Sequence, residues 1–258
     1  MGKLYLSRCM ALALGVCGLV TGCGGSTAGQ VVSIEMALAS EDAGASFTTD
    51  TGWQVTLEEA QLAVGALYMV APTEGESLVA KVMAELFGVG TALAHTGVAV
   101  DGALVLAEWS TPVVFDALAS EPEVLGTVLA EAGEVATGAL WLAPTSELNG
   151  GQAWVQGHAT KDGVVVPFAG YLVLSDEGTT QWVQGVDAAG YLDEGMRITL
   201  LTDPQKWLAT AHFERLLANE PDGQGVYAID GNSQVHSAWV LGLRSKYGYS
   251  VDFGEMAL

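Results

Sequence analysis

The sequence predicts a mainly β fold, either a β-sandwich or a meandering antiparallel barrel, with two or three helices inserted. Three observations lead there. Apolar residues alternate with period two over residues 31–38 and 52–58, the signature of a half-buried strand. A turn, Thr160-Lys161-Asp162-Gly163, separates two alternating runs and reads as a hairpin. Strands and helices also fail to recur at the regular βαβ spacing of a Rossmann-type sheet.

The first segment in chain order is an export leader. Lys3 and Arg8 precede an uncharged apolar run over residues 9–20, the layout of a signal peptide and too short for a good spanning helix. The sequence Val20-Thr21-Gly22-Cys23 that ends it resembles the lipobox of bacterial lipoproteins. By that resemblance the Cys23 sulfur is diacylated and the chain is cleaved between Gly22 and Cys23. Cys17 and Cys9 fit less well, since bulky Val16 and charged Arg8 stand directly before them. An ordinary signal peptide cut near Ala28, with Cys23 incidental, is the alternative. Gly24 and Gly25 follow the cysteine where an Asp would suggest inner-membrane retention, so the resemblance leans to the outer membrane. The expected organisation is a lipoprotein signal peptide over residues 1–22, a flexible tether over 23–30 and one β-rich domain over 31–258.

The domain then reads in order. Trp53, Val55 and Leu57 share one face of a strand over residues 52–58, and residues 61–70 read as a second strand, broken at Gly65 and next in a meander. Residues 76–87 change period, with Leu78, Val79, Val82, Met83 and Leu86 at helical spacing and Gly88 as a stop. A loop carrying His95 leads to a strand over 103–109. Residues 111–133 read equally as helix or loop, because Ser120-Glu121-Pro122-Glu123 fits a capping box while Gly126 and Gly133 oppose a long helix. The hairpin pairs residues 152–159 with 164–174, and Pro167 assigns the second strand to an edge or a bulge. Further strands are expected over 180–187, 196–202, 227–243 and 247–253. A helix is expected over 205–218, capped by Thr202 or Asp203 with Pro204 in its first turn.

Composition bounds the chemistry. The 258 residues carry a formal net charge of −21 from 30 Asp+Glu against 9 Lys+Arg, and loss of Lys3 and Arg8 with the leader leaves the remainder more acidic still. Nucleic acid and bare anionic lipid are poor partners for such a surface. All three cysteines stand at or before position 23, so residues 24–258 offer neither disulfide nor thiol chemistry. The acids are spread out, and no Asp-x-Asp-x-Asp-Gly calcium loop is present. Hydrophobic residues make up 50% of the chain and all seven Trp follow residue 52, enough to bury a large core.

Motifs for a nucleophile elbow, a zinc helix, a phosphate loop or a dinucleotide turn are missing in usable form. Four histidines, His95, His158, His212 and His236, are borderline metal donors from different segments. His95, in Ala94-His95-Thr96-Gly97, and His236 are the candidate ligands, whereas His212, between Leu208 and Leu216, reads as packed. The Gly52-Trp53-x-Val55-x-Leu57 strand followed by residues 61–70 is similar in layout to periplasmic copper-binding proteins associated with methanobactin uptake, a resemblance that ranks copper first among metals. It covers about a fifth of the chain and lacks the Tyr-Tyr/Phe-x-Ser-Asn element of that group. The other Trp residues suit a core or a sugar-stacking face. The acid pairs Glu58-Glu59 and Asp193-Glu194, if on strands, point to opposite faces and are solvated.

The expected function is a lipid-anchored, non-enzymatic envelope protein binding a small ligand, a metal ion or a partner protein of the envelope. A structural or assembly lipoprotein without ligand, and a surface hydrolase with a site built from distant residues, are the alternatives.

Overall fold

The computed structural model describes residues 29–41, 44–72, 99–100, 103–174 and 181–256. The leader, Gly22, Cys23, most of the tether, the expected helix over 76–87 and His95 lie outside them. The described chain opens with β1 (Val31–Ser40), β2 (Ser46–Thr48) and β3 (Gln54–Val70), followed by β4 (Ala99–Val100), β5 (Ala103–Trp109), β6 (Val113–Asp116), β7 (Glu123–Glu131) and β8 (Gly133–Leu142). Next come β9 (Ala153–Lys161), β10 (Val164–Leu172), β11 (Trp182–Leu192) and β12 (Met196–Thr202). Helix α1 (Pro204–Leu208), β13 (Tyr227–Ala228), helix α2 (Gln234–Leu243) and β14 (Tyr249–Glu255) complete the set, with 3-10 turns at Ser146–Leu148, Phe213–Ala218 and Lys246–Gly248.

The fold is mainly β, and its strands form one mixed sheet in the order β13-β10-β9-β3-β8-β11-β14-β12-β1-β7. β2, β6 and β5 line up in turn along the other side of β3. β5 and β7, distant in this order, come into contact, so the sheet curls back on itself. Three pairings, β1 with β12, β11 with β14 and β10 with β13, are parallel, so the sheet is mixed within the expected mainly β fold with a few helices. Each parallel pair joins strands that lie far apart in the chain, as the long crossover of a parallel pair requires.

β3 is the spine. Its first half pairs with β9, Gln54 to Leu62 against Thr160 to Ala153, and its second half with β8, Val64 to Val70 against Leu142 to Thr137. The two successive strands read from the sequence are therefore one strand of 17 residues. Gly65 marks the exchange of partners rather than a break, for a Cβ there would sit 2.6 Å from both the Ala143 Cβ and the Trp141 Cε3. One core runs through both halves, including Ile34, Met36 and Leu38 of β1, Leu67 and Met69 of β3, and Phe168 of β10.

The hairpin stands as read. Asp162 and Gly163 have φ of 52° and 80°, the left-handed pair that matches the twist of a two-residue hairpin turn. Pro167 sits on β10, which beyond β9 meets only the two-residue β13, so a missing N–H costs no central ladder bond.

Three readings are corrected, and one strand, β8, had no expectation of its own. Residues 111–133 hold no helix: they form β6 and β7 joined by a turn over 117–122, with Val113, Val114, Thr127 and Val128 supplying β-branched residues to the strands. Gly126, with φ 142°, accompanies a register shift against β1 at Met36/Ala37. The expected strand over 227–243 shrinks to β13, after which Ser233 caps α2 by accepting the His236 backbone N–H at 3.0 Å. Val235, Ala238, Trp239 and Leu243, all buried, recur at helical spacing.

The helix expected over 205–218 ends at Leu208 and resumes only as the turn Phe213–Ala218. Its predicted cap is correct, since Asp203 Oδ1 accepts the Gln205 N–H at 2.9 Å. Tertiary bonds stop it: the Ala209 carbonyl accepts from Asp50 N–H at 2.8 Å, and the Ala211 carbonyl from Thr51 Oγ1 at 2.7 Å. Helix α2 crosses α1 closely enough that a Cβ on Gly242 would lie 2.3 Å from the Trp207 carbonyl oxygen. Among the described residues no helix is long and apolar enough to cross a membrane.

Candidate functional site

On β9, Ala153, Val155, Gly157 and Ala159 are buried, while Trp154, Gln156, His158 and Thr160 are half-buried and share the opposite face. Register extends this face across three strands. Tyr171 lies beside Trp154, Ala169 beside Gln156 and Pro167 beside His158 on β10, and Gln61, Glu59 and Thr56 stand opposite on β3. The result is a ribbon of aromatic and polar side chains on the outer surface of the sheet.

A β-bulge supplies its carboxylates. The β3–β9 register shifts between Leu57 and Glu59, leaving Glu58 without a partner on β9, so both Glu58 and Glu59 turn outward and are exposed. The expectation that adjacent acids point to opposite faces fails here, because a bulge adds one residue to one strand. Gly157 permits the close approach: a Cβ at that position would lie 2.2 Å from the Thr56 carbonyl oxygen.

The side chains interlock. Glu59 Oε2 accepts the Trp154 indole N–H at 2.8 Å. Glu58 Oε2 accepts from Gln156 Nε2 at 3.4 Å, and Glu58 Oε1 stands 3.4 Å from His158 Nδ1. Trp154 and Tyr171 have ring centroids 4.3 Å apart and tilted by 40°, a favourable aromatic pairing. A groove of about 370 Å³ continues from Glu58, Gln156 and His158 over Val165, Pro167 and Phe168. Chemically, this surface offers flat apolar rings beside planar donors and acceptors.

The other candidates are dispersed. His236 lies in the first turn of α2, where burial lowers the pKa of its imidazole and the Asp230 charge partly opposes the shift. Its proposed companion His95 lies outside the described residues. Among the described residues no three His, Cys, Asp or Glu side chains gather as a metal site. His212 is not packed on a helix as expected. It precedes the Phe213–Ala218 turn, half exposed, with Nδ1 2.9 Å from Glu214 Oε1. Asp193 and Glu194 lie in a turn, not a strand, and Glu194 Oε2 accepts the Ser33 N–H at 2.8 Å.

Trp207 and Trp239 are fully buried in the core, whereas Trp154 stands half-buried on the ribbon. The alternation of Trp154, Gln156 and His158 with small apolar residues was visible in the sequence. The outward turn of both glutamates was not, and the opposing Gly157 was its one available sign. Compared with protein-family models, with curated proteins and with solved structures, the chain matches none.

Proposed function

We propose that the chain is a lipid-anchored protein of the cell envelope, on the outer membrane, that binds a ligand without chemical conversion on the Trp154–His158 ribbon. The anchor rests on Val20-Thr21-Gly22-Cys23 behind a short apolar leader. Such an anchor leaves the sheet free to present a surface outward.

The observation that carries the binding role is the mutual fixing of the ribbon's side chains on paired strands. Trp154 is held by Glu59 at 2.8 Å, with Glu58 3.4 Å from Gln156 beside it, so the central ring is oriented before a ligand arrives and less conformational freedom is lost on binding. Both carboxylates already accept hydrogen bonds from neighbouring side chains, which suits an array of acceptors better than a general acid paired with a nucleophile.

The full chain, extracted from membranes in detergent and examined by native mass spectrometry beside a Trp154→Ala/His158→Ala variant, tests this. A bound mass present in the first and lost from the second is expected. Equal spectra for the two would overturn the binding role. Cys23→Ser is expected to move the chain out of the membrane fraction, and unchanged partitioning would overturn the anchor.

A further inference from the structure

Resting on that reading of the ribbon, we infer that its ligand is a neutral oligosaccharide. Three features of the surface select this class. The first is the aromatic pair: Tyr171 is 38% exposed and Trp154 half-buried with its indole N–H fixed by Glu59, and flat rings at a sheet surface stack against the C–H faces of pyranose rings.

The second is the row of planar polar groups beyond the rings. Gln156, Glu58 and His158 follow Trp154 along the strand pair, and sugar hydroxyls, each both donor and acceptor, pair with amide, carboxylate and imidazole edges. From Trp154 to His158 the ribbon runs four residues, about 13–14 Å at strand rise. That exceeds one pyranose ring and calls for a chain of sugars lying along β9.

Charge is the third. Glu58 and Glu59 line the ribbon of a protein with formal net charge −21, and the nearby Lys161 ammonium is turned away to the Thr51 carbonyl at 2.6 Å. Uronates, sulfated glycans and phosphate-bearing polymers are repelled by such a surface. Neutral hexoses and N-acetylhexosamines are not.

The test is calorimetric titration of the full chain in detergent with cellohexaose, chitohexaose, maltohexaose and xylohexaose, with a galacturonate hexamer as the anionic probe. At least one neutral hexamer is expected to bind, with its monosaccharide and the anionic hexamer binding at least about tenfold more weakly. Trp154→Ala is expected to weaken binding about tenfold or more, the loss of one stacking contact. Tyr171→Ala and Gln156→Ala, at the edges of the ribbon, keep the test decisive if Trp154→Ala fails to fold.

Binding by none of the neutral hexamers at millimolar concentration, affinity unchanged in all three variants, or preference for the anionic hexamer would each overturn the inference. A Trp154-dependent ligand of other chemistry found by mass spectrometry would sink the sugar alone and leave the binding role standing. Equal native spectra would remove both.

Discussion

The indole N–H of Trp53 donates to Glu214 Oε2 across 2.8 Å, tying the start of β3 to a turn 161 positions later in the chain. The same carboxylate meets His212 Nδ1 at 2.9 Å through its other oxygen. Burial acts to raise the Glu214 pKa. The hydrogen bonds from His212, its own backbone N–H and Trp53, with the His212 charge, outweigh that and hold it at about 2.

Because the folded carboxyl titrates below the ordinary glutamate range, the tie stabilises the fold at neutral pH. It is fully present above the unfolded value of 4.5 and is lost as pH falls towards about 2. Glu214→Gln is expected to lower stability at neutral pH by about 1 kcal/mol, the modest size of a half-exposed charged hydrogen bond. It is also expected to flatten acid unfolding in that window, as followed by Trp fluorescence. An acid profile that does not change would show the carboxylate to be a bystander.

His236 works in the same direction from the opposite chemistry. Burial holds its imidazole below the usual 6.5 despite Asp230, so the unfolded chain binds more protons and stability falls as pH drops through that value. Urea midpoints at about pH 8 and about pH 5.5 are expected to differ less in His236→Gln than in the parent chain. A gap of the same size in both proteins would contradict the assignment.

Gly157→Ala puts a methyl where only 2.2 Å separates it from the Thr56 carbonyl. Relief requires β3 and β9 to part at the bulge, at a cost of about 3 kcal/mol. Chemical denaturation measures the cost. Ligand affinity is expected to fall as well, since the bulge is what turns Glu58 outward. A stable Gly157→Ala protein with full affinity would break the link between bulge and ribbon.

At Gly65 the obstruction is side chain rather than backbone, with Ala143 Cβ and Trp141 Cε3 both 2.6 Å from an added Cβ. Gly65→Ala is therefore expected to destabilise by about 2 kcal/mol, and Ala143→Gly in the same chain to recover part of that. Additive losses in the double variant would argue against the contact.

Period-two runs were legible in strands such as β1 and β9, where one face is buried along most of the length, and the Asp162-Gly163 turn announced its own geometry. What escaped was set by distant partners. Nothing local in residues 209–212 says that Asp50 and Thr51 will claim the Ala209 and Ala211 carbonyls and end the helix. The strand β7 hid behind a plausible capping box at Ser120, because turn chemistry and strand composition overlapped there. For the ribbon, Trp154, Gln156 and His158 could be placed on one face from their spacing, but Glu58 joined them only through a register shift, which no single strand encodes.

The seventeen-residue span of β3 has a thermodynamic consequence. Its first half pairs with β9 and its second with β8, the register shifting at Val64/Ala66 where the partner changes, so melting of either half strips the other of a shared strand. Heat should dissolve the whole body in a single calorimetric peak, and a protease should find few stable halfway fragments to leave behind.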